Sequence, residues 1–252
     1  MNLAEKNFKV WSNQPFDKET TKEVYRLKEK LDRSEFNDIF HKDLEFGTGG
    51  MRGIMGIGPN RINKYSLGKT TQGICNFIND LKIKEPKVII GYDSRKNGKY
   101  LCDVVSDIFN ANNIRTYVFD EIKPTPIVSF GVRNLSCICG IVITASHNPP
   151  EYNGIKSVAS DGVEISRDDE KKIEEIYFNQ NWKKVSKFGV TKNEDRAIQV
   201  YVDGIKSHVD VSKIISRKLK VALDLGNGAQ AITVIRLCKE LGCDVFTINE
   251  NI

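Results

Sequence analysis

The sequence predicts an α/β protein whose helices cover a mainly parallel sheet. Two patterns predict this class. Short apolar runs typical of buried strands alternate with longer segments whose apolar residues recur at the three- and four-residue spacing of a helix. Polar and glycine-containing turns follow several of the apolar runs. The composition fits a folded chain, because 40% of the 252 residues are hydrophobic, which is too many for a largely disordered protein.

Residues 1–43 are predicted to form a helical N-terminal extension. Apolar residues recur at helical spacing from Val24 to Leu31, and Ser34 is placed to cap a second short helix. The glycine-dense stretch 46–59 follows the extension. Because glycine adopts turn conformations at little cost, this stretch is predicted to be a loop or a series of tight turns.

Helices and strands alternate in the next part of the chain. The predicted segments are a helix capped by Ser66 and reaching about Lys82, a strand at 88–90, a helix around 101–108, a strand at 114–119, a short helix after Pro126 and a strand at 138–143. Parallel strands need a crossover connection, which is usually a helix, so this alternation predicts a parallel sheet.

The rest of the chain is predicted to contain a second unit of the same kind. The segments are a turn-rich loop at 144–154, a charged helix at 167–178, a linker at 179–195, a helical stripe at 198–209, a strand ending at Asp224, a glycine turn, a helix at 231–241 and a strand at 244–248. One strand–helix–strand unit is too little sheet for a complete domain. The predicted divisions are the extension at 1–43, a first domain at 44–193 and a partial second domain at 194–252.

The net charge and the cysteines indicate which kinds of partner the protein binds and in which cellular compartment it lies. The net charge of +5 is mild and dispersed, which favours a solvated surface over a nucleic-acid patch and also suits an anionic small substrate. The apolar run 138–145 is too short to cross a membrane, and the N-terminus has no secretory pattern. The six cysteines form no CxxC pair, which is typical of reduced thiols in a cytoplasmic protein.

The strongest candidate for chemistry is the loop TASHNPPEYNGIK, which follows the last predicted strand of the first sheet. Open α/β sheets place their ligand sites at this edge. Ser146 is a candidate nucleophile or phosphate carrier, and His147 and Lys156 are candidate acid/base or phosphate-binding groups. An ordinary surface loop is the alternative. A serine-hydrolase elbow is excluded, because Thr144 and Asn148 stand where that motif needs glycine.

Two further segments are candidates for function, and the first of them is a candidate for anion binding. The stretch 47–53 offers backbone N–H groups to an anion, and Arg52 adds a planar, permanently charged clamp for phosphate. A flexible connector is the alternative. Residues 93–95, Asp-Ser-Arg, follow a strand end and are placed to face the same edge as Ser146. A structural turn with an internal ion pair explains them equally well.

The turn Gly226-Asn227-Gly228-Ala229-Gln230-Ala231 fits the dinucleotide pattern GxGxxA between a strand and a helix. Glu250, at the end of the following strand, stands near the position of a ribose-binding acid. A tight strand-to-helix turn without any ligand is the alternative, because a short glycine pattern is weak evidence.

Four motifs resemble those of the α-D-phosphohexomutases, the family that includes phosphoglucomutase and phosphomannomutase. TASHNPPEYNGIK resembles the active-site serine loop, FGTGGMRGIMGIGPNRIN the N-terminal motif, GYDSR a third motif, and VALDLGNGAQ the opening of the second domain. The chain is most similar to the branch of longer phosphoglucomutases and phosphopentomutases, which also carry a helical N-terminal extension. The resemblance implies a mixed, mainly parallel sheet covered by helices in domain I and the start of a similar second domain. It explains the GxGxxA turn without a dinucleotide.

The resemblance also implies a mechanism, which is intramolecular phosphotransfer through a phosphoserine and a sugar bisphosphate intermediate. It implies catalytic roles for Ser146, Lys156, His147 and Arg52, and substrate or phosphate binding by Thr48, Gly49, Arg52, Asn148 and Arg95. The implied substrate is a hexose or pentose phosphate, and the implied activator is a sugar 1,6-bisphosphate. The implied cofactor is Mg²⁺, which this chain would contact only through the phosphate on Ser146.

The chain departs from the family pattern in three features that its sequence lacks. The DGDxDR-type metal loop does not occur in the 252 residues, and no sugar-binding loop or C-terminal phosphate-binding domain follows. We therefore expect a fragment with little mutase activity on its own. Two other functions stay open at this point: a phosphosugar-binding module without catalysis and a dinucleotide-binding protein.

Overall fold

A computed structural model describes residues 2–47, 50–179, 191–194 and 196–252. The N-terminal extension is helical, as predicted, and consists of α1 (Leu3–Trp11), α2 (Lys18–Lys30) and α3 (Arg33–Phe40). The predicted cap of α3 was wrong. The helix begins after Asp32, whose carboxylate accepts the N–H groups of Ser34 and Glu35, while the Glu35 side chain accepts the Asp32 N–H. This reciprocal capping box satisfies more of the free N–H groups at the helix end than Ser34 alone would.

The extension packs on α4 (Lys64–Asp80) through an aromatic cluster. The rings of Trp11 and Phe16 stack with their centroids 4.4 Å apart, and Tyr65 from α4 meets both edge-on. The Tyr65 hydroxyl and the Lys64 ammonium both bind the carboxylate of Asp17, which caps α2. The three-helix extension is thereby held to the first helix of the sheet domain by both apolar and charged contacts.

The cap of α4 also differs from the prediction. Asn63, not Ser66, is the N-cap, and its side-chain oxygen accepts the N–H groups of Tyr65 and Ser66. The Ser66 hydroxyl instead accepts the N–H of Asn63. The helix therefore starts earlier than the serine suggests, because asparagine is an equally good cap.

A seven-stranded sheet with the order β1-β2-β6-β5-β3-β4-β7 forms the centre of the domain. Its strands are β1 (Phe46–Gly47), β2 (Gly50–Ile54), β3 (Lys87–Tyr92), β4 (Arg115–Phe119), β5 (Cys139–Ile143), β6 (Tyr152–Ala159) and β7 (Thr191–Glu194). The pairings β5–β3, β3–β4 and β4–β7 are parallel, and the pairings β1–β2, β2–β6 and β6–β5 are antiparallel. The predicted mixed sheet covered by helices is confirmed, but the expectation that it is mainly parallel was wrong. Three of the six pairings between the described strands are antiparallel, because β1, β2 and β6, which were not predicted as strands, pair in that direction.

Helices cover both faces of this sheet. Together with α4, the helices are α5 (Gly98–Ala111), α6 (Thr125–Asn134) and α7 (Arg167–Phe178). Neighbouring residues of β3 point to opposite faces, so Ile90 packs with residues of α4 and α5 while Ile89 packs with residues of α6. The buried strands β3 and β5 therefore read as continuous apolar runs, which is the pattern of a sheet covered on both sides.

Three predicted loops contain strands. β1 and β2 lie within the glycine-dense stretch, β6 begins inside the predicted loop at 144–154, and β7 lies within the predicted linker at 179–195. Glycine allows the close pairing of β2 and β6: a Cβ on Gly50 would lie 2.1 Å from the Ile155 carbonyl oxygen. β7 pairs with β4 and extends one residue beyond the predicted domain boundary at 193. Residues 180–190 and 195 lie outside the described part.

The second strand–helix–strand unit is present as predicted. It follows α8 (Ala197–Lys206) and the short α9 (Val211–Ser216), and comprises β8 (Lys220–Asp224), α10 (Ala231–Glu240) and β9 (Asp244–Ile248). β8 and β9 pair in parallel, and α8 packs on α6 of the first sheet. One apolar face of the two-stranded sheet is exposed at Phe246 and Ile248.

Among the described residues, no helix is both long enough and apolar enough to cross a membrane. All six cysteines are free thiols. Burial raises the pKa of Cys102 and of Cys139 to about 12, so neither is a reactive thiolate near neutral pH.

Asp17 makes the free energy of unfolding depend on pH. Burial raises its pKa, but bonds from the Lys64 and Tyr65 side chains and from the Thr20 N–H lower it more, so the pKa lies below the ordinary 3.8. A carboxylate whose pKa is lower in the folded than in the unfolded protein stabilises the fold above the unfolded pKa. This stabilisation is lost as the pH falls towards the folded pKa. The Asp17 side chain is 41% exposed, so we expect Asp17→Asn to cost about 0.5–1 kcal/mol at pH 7.

Urea unfolding between pH 7 and pH 2 measures this contribution. The difference between wild type and Asp17→Asn should be constant above about pH 5 and shrink below about pH 4. Asp32→Asn is the matched control, since Asp32 caps α3 without a lysine partner among the described residues. A difference that persists unchanged to pH 2 would contradict the assignment.

Gly154 is required by the close approach of β2 and β6. A Cβ there would lie 2.4 Å from the Met51 carbonyl oxygen and 2.9 Å from the Thr144 carbonyl oxygen. We expect Gly154→Ala to lower the free energy of unfolding by about 1–3 kcal/mol through overpacking. In the control Gly56→Ala, the nearest atom to the new Cβ is on the flexible Arg61 side chain at 3.6 Å. Equal losses in the two variants, measured by urea unfolding, would show that the contact at Gly154 is unimportant.

Candidate active site

Ser146 lies at the carboxyl edge of the sheet, three residues beyond β5. The strand is fully buried, Thr144 and Ala145 are buried as well, and the chain emerges into solvent at Ser146. Ser146 has a φ of +57°, in the left-handed region that L-residues seldom adopt. Strained backbone of this kind persists only where the surroundings hold it, and it is concentrated at functional sites.

A short chain of hydrogen bonds holds the amide of Ser146. The Ser146 N–H donates to the Thr144 hydroxyl at 2.9 Å, and that hydroxyl donates to the carboxylate of Asp93 at 2.5 Å. Asp93 follows β3, whose parallel pairing with β5 places Tyr92 beside Ile143. The predicted meeting of the 93–95 turn and the Ser146 loop at one edge is therefore observed. The sequence did not predict that Thr144 links the Ser146 amide to Asp93, although the motif places a hydroxyl two residues before the serine.

Arg95 holds the loop from the other side. Its Nη2 donates to the carbonyl oxygens of Ser146 (3.0 Å) and Asn148 (2.5 Å), and its Nη1 donates to those of Pro149 (2.7 Å) and Tyr152 (3.0 Å). Two terminal nitrogens carry four N–H groups, so each has a carbonyl partner. Arg95 was predicted to bind phosphate, but no terminal N–H is left free for that purpose. The predicted internal ion pair is present, with Nε 3.6 Å from the Asp93 carboxylate.

Arg52 and Lys156 lie on one face of the sheet beside this loop. Arg52 stands opposite Gly154 in the β2–β6 pair, and Lys156 is two residues further along β6. Since side chains alternate along strands, both point to the same face. Diagonal neighbours of this kind have backbones roughly 7–8 Å apart, within reach of long side chains. Thr144 is at the same level, because its N–H donates to the Gly154 carbonyl at 3.1 Å.

Arg52 and Lys156 differ in their partners. The Nε of Arg52 is buried and has no hydrogen-bond partner among the described residues. The Nζ of Lys156 pairs with the Glu164 carboxylate at 2.8 Å, and the lysine side chain is only 13% exposed. Glu164 was not singled out from the sequence, because its hairpin position beyond β6 becomes visible only once that strand is known.

His147 and Asn148 complete the loop. The Nδ1 of His147 is 3.4 Å from the Ser146 Oγ, within range of a weak hydrogen bond, and both residues are exposed. The side-chain Oδ1 of Asn148 is buried and has no hydrogen-bond partner in the described part of the chain. The remaining predicted site residues, Thr48 and Gly49, lie outside the described residues.

An open cleft of about 870 Å³ lies over Ser146. The cleft is lined by the loop, by the 93–96 turn, by residues 124–126 at the start of α6, and by the turn at 225–230 of the second unit. Gly226 and Asn227 in that turn both have positive φ values. The glycine pattern therefore borders the same cleft as the serine, and α10 begins directly behind it at Ala231.

The described residues do not by themselves form a magnesium site. They contain no group of three or more His, Cys, Asp or Glu side chains placed to hold a metal ion. The carboxylate at the start of the serine loop, Asp93, already accepts bonds from Thr144 and from the Arg95 backbone. These residues therefore do not fit the implied ion unless further ligands are supplied.

Comparison with known proteins identifies the family. The family description "Phosphoglucomutase/phosphomannomutase, alpha/beta/alpha domain I" matches residues 43–184. The chain is 36% identical over 210 residues to the phosphoglucosamine/phosphogalactosamine mutase of Sulfurisphaera tokodaii, covering 82% of this chain and 44% of that protein. It is 41% identical over 129 residues to the phosphoglucomutase of Staphylococcus haemolyticus, covering 51% of this chain and 23% of that protein.

Two solved structures share the fold of this chain. A crystal structure of a phosphomannomutase-like protein from Thermus thermophilus superimposes with a TM-score of 0.75 at 24% identity, over 82% of this chain and 46% of that one. The phosphoglucomutase parafusin from Paramecium gives a TM-score of 0.69 at 20% identity, over 81% of this chain and 43% of that one. The chain thus spans less than half the length of these relatives. With more than half of its residues matched by one family description, the chain belongs to the phosphoglucomutase/phosphomannomutase family.

Proposed function

We propose that this chain carries the phosphoryl-transfer serine of a phosphosugar mutase. In this proposal Ser146 bears a phosphoryl group, donates it to a sugar monophosphate, and receives a phosphoryl group back from the resulting bisphosphate. Residues 44–193 act as domain I and residues 194–252 as the beginning of domain II. The substrate class is a hexose or pentose phosphate. The names of the relatives given above support a hexose or hexosamine phosphate, and the pentose phosphate rests on the resemblance to the branch that includes phosphopentomutases.

The observation that carries the proposal is the buried Nε of Arg52, which has no hydrogen-bond partner among the residues that the structure describes. A buried N–H without an acceptor costs about 1–3 kcal/mol, so such groups are rare unless a ligand satisfies them. The guanidinium lies on the same sheet face as Lys156, at the level of Thr144 and close to the serine loop. A phosphoryl group on Ser146 is an acceptor of the right charge and shape for a guanidinium.

The transfer needs a proton to move in the direction opposite to the phosphoryl group. The bond between phosphorus and the Oγ of Ser146 breaks, and a bond between phosphorus and a sugar hydroxyl oxygen forms. The proton of that hydroxyl passes to Oγ, directly or through Lys156 or His147. His147 lies 3.4 Å from the serine Oγ, and Lys156 is oriented by Glu164.

The other loop residue suits the sugar rather than the phosphate. The Oδ1 of Asn148, which has no partner in the described part of the chain, is an acceptor, and a phosphate dianion offers no proton to it. A sugar hydroxyl does, so we assign Asn148 to the carbohydrate part of the substrate. Arg52 then binds the anionic part, so the buried atoms of Arg52 and Asn148 each receive a complementary ligand.

Full turnover is proposed to require groups beyond these 252 residues. Mg²⁺ would reach this chain only through the phosphate on Ser146, and its remaining ligands would come from elsewhere. The cytoplasmic location expected from the cysteines is kept in the proposal, since all six thiols are free. A dinucleotide-binding function is not favoured, because the GxGxxA turn faces the serine cleft in a chain of the mutase family.

The proposal predicts a phosphoryl group on one particular serine. The protein is purified from its native source and its intact mass is measured before and after incubation with glucose 1,6-bisphosphate and Mg²⁺. We expect the mass of one phosphoryl group in at least one of these states, mapped to Ser146 by peptide analysis. Ser146→Ala should lack it, whereas Ser94→Ala, which alters a serine lining the same cleft, should keep it. Absence of phosphate from Ser146 in both states would overturn the proposal.

The proposal also predicts little steady-state activity for the 252-residue chain alone. Glucose 1-phosphate, Mg²⁺ and a bisphosphate activator are supplied, and glucose 6-phosphate formation is followed with a coupled dehydrogenase. Turnover should stay at the level of the Ser146→Ala variant. Robust turnover that Ser146→Ala abolishes would show that the chain is a complete enzyme.

A further inference from the structure

We infer that Arg95 is a positioning residue that holds Ser146 in the conformation from which the phosphoryl group is transferred. The inference rests on the proposed function for its chemical consequence, while its structural part is independent of that function. Arg95 lies on the turn after β3, and its contacts with the serine are made through the backbone of the loop.

The first step is that both backbone polar groups of Ser146 are held. The N–H is held by Thr144, which is in turn held by Asp93, and the carbonyl oxygen is held by Arg95. Fixing the amide on one side of the Cα and the carbonyl on the other restricts φ and ψ together. Ser146 is not a glycine, so its φ of +57° needs such support.

The second step is that Arg95 closes the loop from end to end. Its four acceptors begin at Ser146 and end at Tyr152, the first residue of β6. The loop is therefore tied to β3 at its start and at its end by one side chain. Since β6 also carries Lys156, the same contact sets the serine against the strand of the proposed acid/base lysine.

The third step is that only arginine fits this position. The planar guanidinium presents its N–H groups in a fixed fork, whereas a lysine ammonium has three donors on a flexible stem. The Arg95 side chain is 12% exposed, and its own backbone N–H is fixed by the Asp93 carboxylate at 3.0 Å. Arg95→Lys thus keeps the charge and removes the fork.

The test compares Arg95→Lys with a matched control. Arg61 is equally exposed, at 12%, pairs with Asp38 and donates to a backbone carbonyl outside the cleft. For both variants, hydrogen exchange of the amides in 145–153 is measured. The rate of Ser146 phosphorylation by glucose 1,6-bisphosphate is also measured as a function of bisphosphate concentration.

We expect exchange in the loop to accelerate about tenfold or more in Arg95→Lys and to stay unchanged in Arg61→Lys. The maximal phosphorylation rate should fall about 100-fold, because small misplacements of a reacting group are that costly. The bisphosphate concentration giving half of the maximal rate should change little, since Arg95 has no free terminal N–H for phosphate.

Three results would overturn the inference: unchanged loop exchange in Arg95→Lys, equal effects in Arg61→Lys, or a defect wholly in bisphosphate affinity. If wild-type Ser146 is never phosphorylated, the proposed function fails, and the exchange experiment still decides whether Arg95 holds the loop.

A measurement on the wild type guards against a variant that does not fold. In proton–nitrogen correlation NMR spectra, the protons on the Nη atoms of Arg95 should give separate signals that exchange slowly. A single averaged signal would contradict the contact.

Discussion

The hydrogen bonds between the end of β3 and the loop after β5 are the constraint on which the site depends. Parallel pairing places Asp93 beside the start of the loop, where its carboxylate binds Thr144 at 2.5 Å. Arg95 then binds the loop carbonyls from the same turn. A serine with a left-handed backbone is thereby kept at the sheet edge through its amide and carbonyl groups. The Oγ stays available for chemistry because the backbone supplies the fixation.

The antiparallel insertion of β6 provides the second half of the site. β6 lies between β2 and β5, so it carries Lys156 into the sheet and brings Arg52 next to Gly154. The two cationic side chains then share a face, although they are far apart in sequence. The absence of a side chain at Gly154 permits this approach, since a Cβ there would collide with the backbone of Met51 and of Thr144.

Much of this could be predicted from the sequence, and the parts that could not have identifiable causes. Buried strands such as β3 and β5 are continuous apolar runs, and Ser146 follows one of them at the edge where ligands bind. β2 and the first residues of β6 were predicted as loops because their glycines and polar residues hide the strand pattern, which depends on pairing partners distant in the chain. The contacts of Arg95 with the loop could not be predicted either, because its carbonyl partners are all more than 50 residues away in the sequence.

The most direct test of the account is a crystal structure of the protein after reaction with glucose 1,6-bisphosphate, viewed at Ser146. We expect a phosphoryl group on Oγ within hydrogen-bond distance of the Arg52 Nε. We also expect a positive φ at Ser146 and the Arg95 guanidinium still on the loop carbonyls. A phosphoserine with an extended backbone, with Arg52 turned away and Arg95 bound to the phosphate itself, would contradict the account.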